Sequence, residues 1–284
     1  MVSTVLRMTM TLHALLCEYL AAREVSSRYR ESLLRTVRQA AAGGVENVTD
    51  LQSALVNRFL QNLSTAPTTR QNVRRELLTL WRWAFEEGIT DDPPLRVFRI
   101  KSPVRPVQAW SLAELRAMVA CAESDMTCIG GLHSKRINEW LPGWIVIAYD
   151  TALRFGDVLD LQDTNIRNGT VCTTAHKTGK PLVRTLSGHA QQWAQSLSLG
   201  SPDGTLFKWF LTRRRAFIAM RHFLDRHKYA GSFKYLRRAC ATYVEMQSPG
   251  EAWRYLQHSV PTLVQRHYVD ASLCPAPAGP PPIK

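Results

Sequence analysis

Several chemistries are missing from this 284-residue sequence. Its six cysteines, Cys17, Cys121, Cys128, Cys172, Cys240 and Cys274, include no Cys-x-x-Cys pair. That excludes the common zinc patterns and a dense disulfide frame, and makes a reducing, intracellular setting the expectation. No G-x-S-x-G or H-E-x-x-H occurs, so the usual serine-hydrolase and zinc-protease routes are absent. Thr178-Gly179-Lys180-Pro181 lacks the upstream glycine and closing Ser/Thr of a phosphate-binding loop. His222 and His227 stand at a spacing that does not put two ligands on one helix face, and the acids do not cluster as a two-metal nuclease needs. No metal and no cofactor are therefore expected. No apolar run approaches a membrane span. The stretch 12–22 resembles a signal peptide only superficially, because His13 and Glu18 interrupt it and Leu12, Leu15, Leu16, Tyr19 and Leu20 recur at helical spacing. There is no internal repeat.

Acidic residues are also in short supply. Lys and Arg number 36 against 23 Asp and Glu, a net charge of +13. Both parts of the chain share the excess: residues 1–105 carry 15 basic and 10 acidic side chains, and residues 106–284 carry 21 and 13. A field of this sign suits a polyanion, nucleic acid or an anionic surface, and its spread suits wrapping rather than a basic tail. At 45% apolar residues the chain has ample material for buried cores.

Periodicity places four helices in the first hundred residues: 12–22, 27–42 ended by Gly43-Gly44, one opened by Thr49-Asp50 with Leu51, Leu55, Phe59 and Leu63 inward, and 69–87. The last has Val73, Leu77, Leu80, Trp81, Ala84 and Phe85 as its expected core stripe, and Arg70, Arg74, Arg75 and Arg82 on the opposite face. With Arg99, Lys101 and Arg105 these arginines are the candidate phosphate contacts. The expected boundaries are a helical domain over 1–92, a basic, proline-bearing linker over 93–108 with few core residues, a second domain over 109–270 and a proline-rich tail over 271–284. The second domain opens with a Ser111-x-x-Glu114 capping box. A loop over 129–138 leads to an apolar helix over 140–151. One β-hairpin is expected, 170–176 with 182–186 around Lys177-Thr-Gly-Lys-Pro181, and helices follow as far as Tyr268.

Five segments then fall in a telling order. Tyr149-Asp-Thr-Ala-Leu-Arg154-Phe-Gly-Asp157 resembles the first arginine box of the tyrosine recombinases, the phage integrase family of site-specific DNA recombinases. Lys177 stands where that family has a β-hairpin lysine. Lys234-Tyr-Leu-Arg237 is similar to its second box, H-x-L-R, and Leu256-Gln-His258-Ser to its L-G-H-S. Tyr268 follows at the nucleophile's place. Any one element is weak; five in order, in a basic chain, are specific. The motifs cover 140–270, and the helical part before 105 matches the family's core-binding domain by architecture.

The resemblance implies a mainly α fold with a small β-hairpin or sheet, arranged as a two-domain clamp on DNA. It implies cleavage and rejoining through a 3′-phosphotyrosyl link, without metal or ATP. Arg154 and Arg237 would hold the non-bridging oxygens, since guanidinium groups bind bidentately and stay protonated. Asp157, one turn beyond Arg154, would orient it. His258 would donate to the phosphate and help manage the tyrosine's proton, and Lys177, with Lys180 as competitor, would protonate the leaving 5′ oxygen. Tyr268 would attack. The implied partners are double-stranded target DNA and three further copies, as a homotetramer on synapsed sites, with no membrane. The implied place is the cytoplasm of a prokaryote, at the nucleoid, or of a mobile element's host. Two departures stand out: Lys234 replaces the family's histidine, and the spacing from His258 to Tyr268 is one residue longer than the commonest. A type IB-like topoisomerase and a DNA-binding protein with a decayed site are the rival readings.

Overall fold

The computed structural model describes residues 10–101, 103, 105–129, 134–176 and 179–274. Two compact units divide between Arg105 and Pro106, each with its own core.

Among the described residues the first unit has four α-helices, α1 (Leu12–Ala22), α2 (Ser27–Ala42), α3 (Ser53–Asn62) and α4 (Pro67–Glu86). Thr11 and Ser26 cap the first two, their side chains accepting from Ala14 N and Tyr29 N. Gly43 ends α2 where a Cβ would lie 2.4 Å from the Phe59 ring, so only glycine allows α3 this close. Leu16, Leu33, Val56, Leu60, Leu77 and Trp81 are fully buried at the centre. Two sequence expectations shift. Along α3 the inward stripe is Val56, Phe59 and Leu60, because the helix starts at Ser53 after a short 3-10 turn, Val48–Asp50. On α4, Trp83 is buried, edge-on to Tyr19, while Phe85 is 42% exposed. A buried Glu76 carboxylate accepts from Ser32 Oγ at 2.7 Å and Thr36 Oγ1 at 2.6 Å, tying α4 to α2.

The stretch after α4, expected as an open linker, is partly built into this unit. Arg74 donates to the carbonyls of Phe98 at 2.7 Å and Val97 at 2.9 Å, Asn57 accepts from Phe98 N, and Val97 is buried. Backbone groups satisfied by side chains in this way leave no apolar period for a sequence reading to detect.

The second unit centres on α6 (Leu141–Thr151), packed against α5 (Leu112–Ser124), α8 (Gly188–Leu199) and α10 (Lys234–Gln247). Gly143 lets α8 approach, since a Cβ there would meet Leu197 at 3.0 Å. Trp144 is the hub, with the rings of Phe207 at 4.7 Å, Phe155 at 5.1 Å and Phe233 at 5.2 Å. Strands β1 (Cys128–Ile129) and β2 (Lys135–Arg136) pair where only a loop was expected. The hairpin β4 (Thr170–Thr174) and β5 (Pro181–Thr185) pairs Thr170 with Thr185 and Thr174 with Pro181, and β3 (Ile166–Arg167) adds a third antiparallel strand. Val171 and Leu182 turn inward. The remaining α-helices among the described residues are α7 (Phe155–Leu159), α9 (Arg213–Arg226), α11 (Ala252–Tyr255) and α12 (Pro261–His267). A small separate core of Ala152, Cys240, Ala241, Ala252, Leu256, Val264 and Val269 lies beneath the segments that carry the motifs.

Candidate active site

The motif residues are delivered at chain breaks and helix ends rather than from the middles of long helices. α6 ends at Ala152, which is left-handed at φ 50 and wholly buried. A small residue is required where the backbone turns this way inside a core. Leu153 then enters the core, and Arg154, at the N-cap of α7, faces outward into a cleft. This explains the small-Leu-Arg order physically: a turn, an anchor and a presented cation.

Arg237 sits in the first turn of α10 and is 6% exposed. Its Nη1 donates to the Ala152 carbonyl and its Nη2 to the Leu256 carbonyl at 3.0 Å, with His258 Nε2 at 3.3 Å. One guanidinium thus joins the turn before Arg154 to the segment before His258. Burial pushes its pKa down from the ordinary value; the Tyr268 hydroxyl opposes this, and the like charge of Arg154 reinforces it. Among the described residues, neither Arg154 nor Arg237 has a carboxylate partner. Two cations at one cleft without a countercharge favour an anionic ligand.

Tyr268 ends α12 and turns its ring toward the same place. Its centroid lies 4.9 Å from that of His258 and 5.3 Å from the Arg237 guanidinium carbon. The chain beyond it is held firmly: Asp270 is buried, accepts from Ala109 N at 2.8 Å, and donates its own N–H to Thr242 Oγ1 at 2.9 Å. Arg154, Lys234, Arg237, His258, His267 and Tyr268 all line one cleft of about 570 Å³, with apolar walls from Phe155, Phe217 and Leu263. Lys234 is exposed at the start of α10.

The other candidates fall differently. Asp157 makes no hydrogen bond or ion pair with Arg154 among the described residues. Its Oδ1 accepts from His176 N at 3.1 Å, fixing the end of β4 instead. Lys177 lies outside the described residues; Lys180 is exposed. Of the expected phosphate contacts, Arg74 is turned to backbone carbonyls, whereas Arg75, Arg82, Arg99, Lys101 and Arg105 are exposed and Arg70 is half-buried. Sequence reasoning passed over Arg213-Arg214-Arg215 at the start of α9, a run of three cations whose first member lies 5.6 Å from the Phe155 ring beside the cleft. It also passed over Arg238, which lines the cleft. No group of three or more His, Cys, Asp or Glu side chains gathers as metal ligands among the described residues.

The lambda integrase dimer bound to a COC′ core site superposes on this chain with a TM-score of 0.72 at 18% identity, covering 95% of this chain and 80% of that one. The Tn1549 transposon integrase in complex with a circular intermediate DNA gives 0.74 at 12% identity, over 91% and 95%. The chain has the tyrosine-recombinase fold. A lambda integrase tetramer bound to a Holliday junction shares the same fold with a TM-score of 0.65, at 18% identity over 89% and 79%. No family model matches the sequence, and no curated protein matches it. At these identities the tyrosine-recombinase fold is recognised through its backbone, and the roles of side chains must be argued from the site itself. No helix among the described residues is long and apolar enough to cross a membrane.

Proposed function

We propose that this chain is a site-specific DNA recombinase that cuts and rejoins strands through Tyr268. The observation that carries the reading is the cleft in which Arg154 and Arg237, without carboxylate partners, meet His258 and the Tyr268 ring. A phosphodiester entering there meets cations for its two non-bridging oxygens, which gain charge as phosphorus becomes five-coordinate. The Tyr268 oxygen bonds to phosphorus and gives up its proton, with His258 or water as the acceptor. The bond to the 5′ oxygen breaks, and that oxygen takes a proton from a hairpin lysine, Lys177 or Lys180. The 3′-phosphotyrosyl link keeps the ester energy, so a 5′ hydroxyl reverses the steps and rejoins a strand without ATP.

Lys234 stands where the family has a histidine. An ammonium group there brings three N–H donors and no acceptor, so it belongs with the arginines in stabilising charge. Double-stranded DNA is the proposed substrate, gripped by the first unit through the exposed Arg75, Arg82, Arg99, Lys101 and Arg105 with the half-buried Arg70, and by the second unit at the cleft that Arg154, Arg237 and Arg238 line. By likeness of fold to the lambda integrase tetramer bound to a Holliday junction, four copies would act together on paired sites, and the proposed place of action is the cytoplasm of a prokaryote or of a mobile element's host.

The test is capture of a covalent adduct on a nicked duplex carrying the target site. The wild-type protein should form one, in excess chelator as well as without it, because guanidinium groups rather than divalent ions stabilise the transition state. Tyr268→Phe should bind the duplex and form none. A wild-type protein that binds DNA tightly and is never trapped supports the second reading, a binding protein whose site has decayed, which Lys234 favours.

A further inference from the structure

We propose that Arg184, outside every motif, is a positioning residue that, together with Gln257, fixes the hairpin carrying the general acid onto the His258 segment. The proposal rests on the recombinase reading above.

The hairpin's two legs, β4 and β5, are held by different motif segments. On the β4 side, Asp157 takes the His176 N–H at 3.1 Å. On the β5 side, Gln257 Nε2 donates to the Pro181 carbonyl, and Arg184 Nη2 donates to the Tyr255 carbonyl. The Arg184 guanidinium also lies over the Tyr255 ring, 4.1 Å from its centroid, and donates through Nη1 to Val183 O at 2.6 Å. Tyr255 is itself anchored, its hydroxyl donating to Asp150 O at 2.5 Å in α6. Arg237 takes the next carbonyl, Leu256 O. Two arginines thus clamp consecutive carbonyls just ahead of His258, one from the catalytic helix α10 and one from the hairpin.

An ordinary surface role does not account for Arg184. It is half-buried, makes no ion pair among the described residues, and its Nε is buried without a hydrogen-bond partner there. Burial pushes its pKa down from the ordinary value. Keeping a guanidinium in such a place is costly unless it holds something in register. Geometry supplies the reason. A strand pinned at one point can pivot, whereas β5 is pinned at Pro181 and again at Arg184, roughly 10 Å apart at about 3.3 Å per residue. Pivoting would swing the turn, and with it the ammonium group that must reach one oxygen atom. Gln257 completes the arrangement at φ 55, a left-handed position next to His258.

Single-turnover cleavage of a nicked duplex, made with either oxygen or sulfur at the bridging 5′ position, distinguishes positioning from general damage. Sulfur leaves without a proton, so its expulsion does not need the hairpin lysine. Arg184→Gln should bind DNA as the wild type does, cleave the oxygen substrate on the order of tenfold to a hundredfold more slowly, and recover to within about threefold of wild type on sulfur. Gln257→Asn, which shortens the side chain while tolerating positive φ, should show the same pattern more weakly. It decides the matter if Arg184→Gln does not fold. Equal losses on both substrates, or no loss on either, overturn the proposal while leaving the recombinase reading intact. A wild-type protein that forms no adduct on either substrate overturns the recombinase reading and this proposal with it.

Discussion

Arg154 and Arg237 share a proposed task and have opposite environments, so their removal should separate chemistry from stability. Arg237→Ala orphans the buried carbonyls of Ala152 and Leu256. Each unpaired group costs about 1–3 kcal/mol, so both thermal stability and cleavage should fall. The Arg154 side chain is half-exposed and makes no hydrogen bond to any described residue, only the backbone carbonyl accepting from Val158 N. Arg154→Ala should therefore melt close to the wild type and yet form no adduct. Calorimetry alongside adduct capture checks both; a large stability loss in Arg154→Ala would show that it holds the fold rather than substrate. Ala152 offers a second test. Valine at φ 50 is strained by about 1–3 kcal/mol, so Ala152→Val should destabilise the second unit and misplace Arg154, whereas Ala152→Gly should retain cleavage. Why the motif needs a small residue before Leu-Arg was invisible in the sequence, because the left-handed turn and the Arg237 bond to its carbonyl are tertiary facts.

At the level of elements, the sequence was most legible where a local rule acts alone. The capping box is one case: Ser111 Oγ accepts from Glu114 N at 3.2 Å, and Glu114 accepts from Ser111 N at 2.8 Å. The β4–β5 hairpin, with Gly179 in its turn at φ 64, is another. Legibility failed where partners are distant. Phe85 and Trp83 exchanged inside and outside because the edge contact with Tyr19 selects Trp83. The two-residue strands are too short to show a period. Arg184 looked like any polar residue on an alternating strand. Asp125 is a similar long-range case, joining the end of α5 to the end of α9. It accepts from Thr127 N at 2.9 Å and Arg226 Nη1 at 3.2 Å, with His227 Nε2 at 3.6 Å. Burial raises its pKa, but the bonds from Thr127 and the charge of Arg226 outweigh this and hold it below the ordinary value. The stability it contributes is therefore full above the unfolded-state pKa of about 4. That contribution is lost as pH falls through the lower folded value. Asp125→Asn should be less stable than the wild type at neutral pH, with the gap narrowing in acid; urea unfolding at both pH values measures it. A gap that widened in acid would mean that Asp125 is not held ionised by these partners.

For the whole molecule the decisive facts are the charge, +13 and shared by both parts of the chain, and the division into two units between Arg105 and Pro106. Each unit encloses its own set of buried leucines and tryptophans, so neither depends on the other for a core. A polyanion bound by both units releases counterions from every phosphate neutralised, with log affinity falling by about 0.9 per contact for each unit of log salt. Joining the units makes the second contact intramolecular, so the intact chain gains affinity that neither piece has. Residues 1–105 and 106–284 made separately should each unfold cooperatively. Each should bind duplex DNA far more weakly than the whole chain and with a shallower salt slope, and the two slopes should sum approximately to that of the intact protein. Gel-shift titrations at several salt concentrations measure all three. If 106–284 bound as tightly as the full chain, with the same slope, the exposed arginines of α4 and of the segment after it would have no part in the grip, and DNA recognition would belong to the second unit alone.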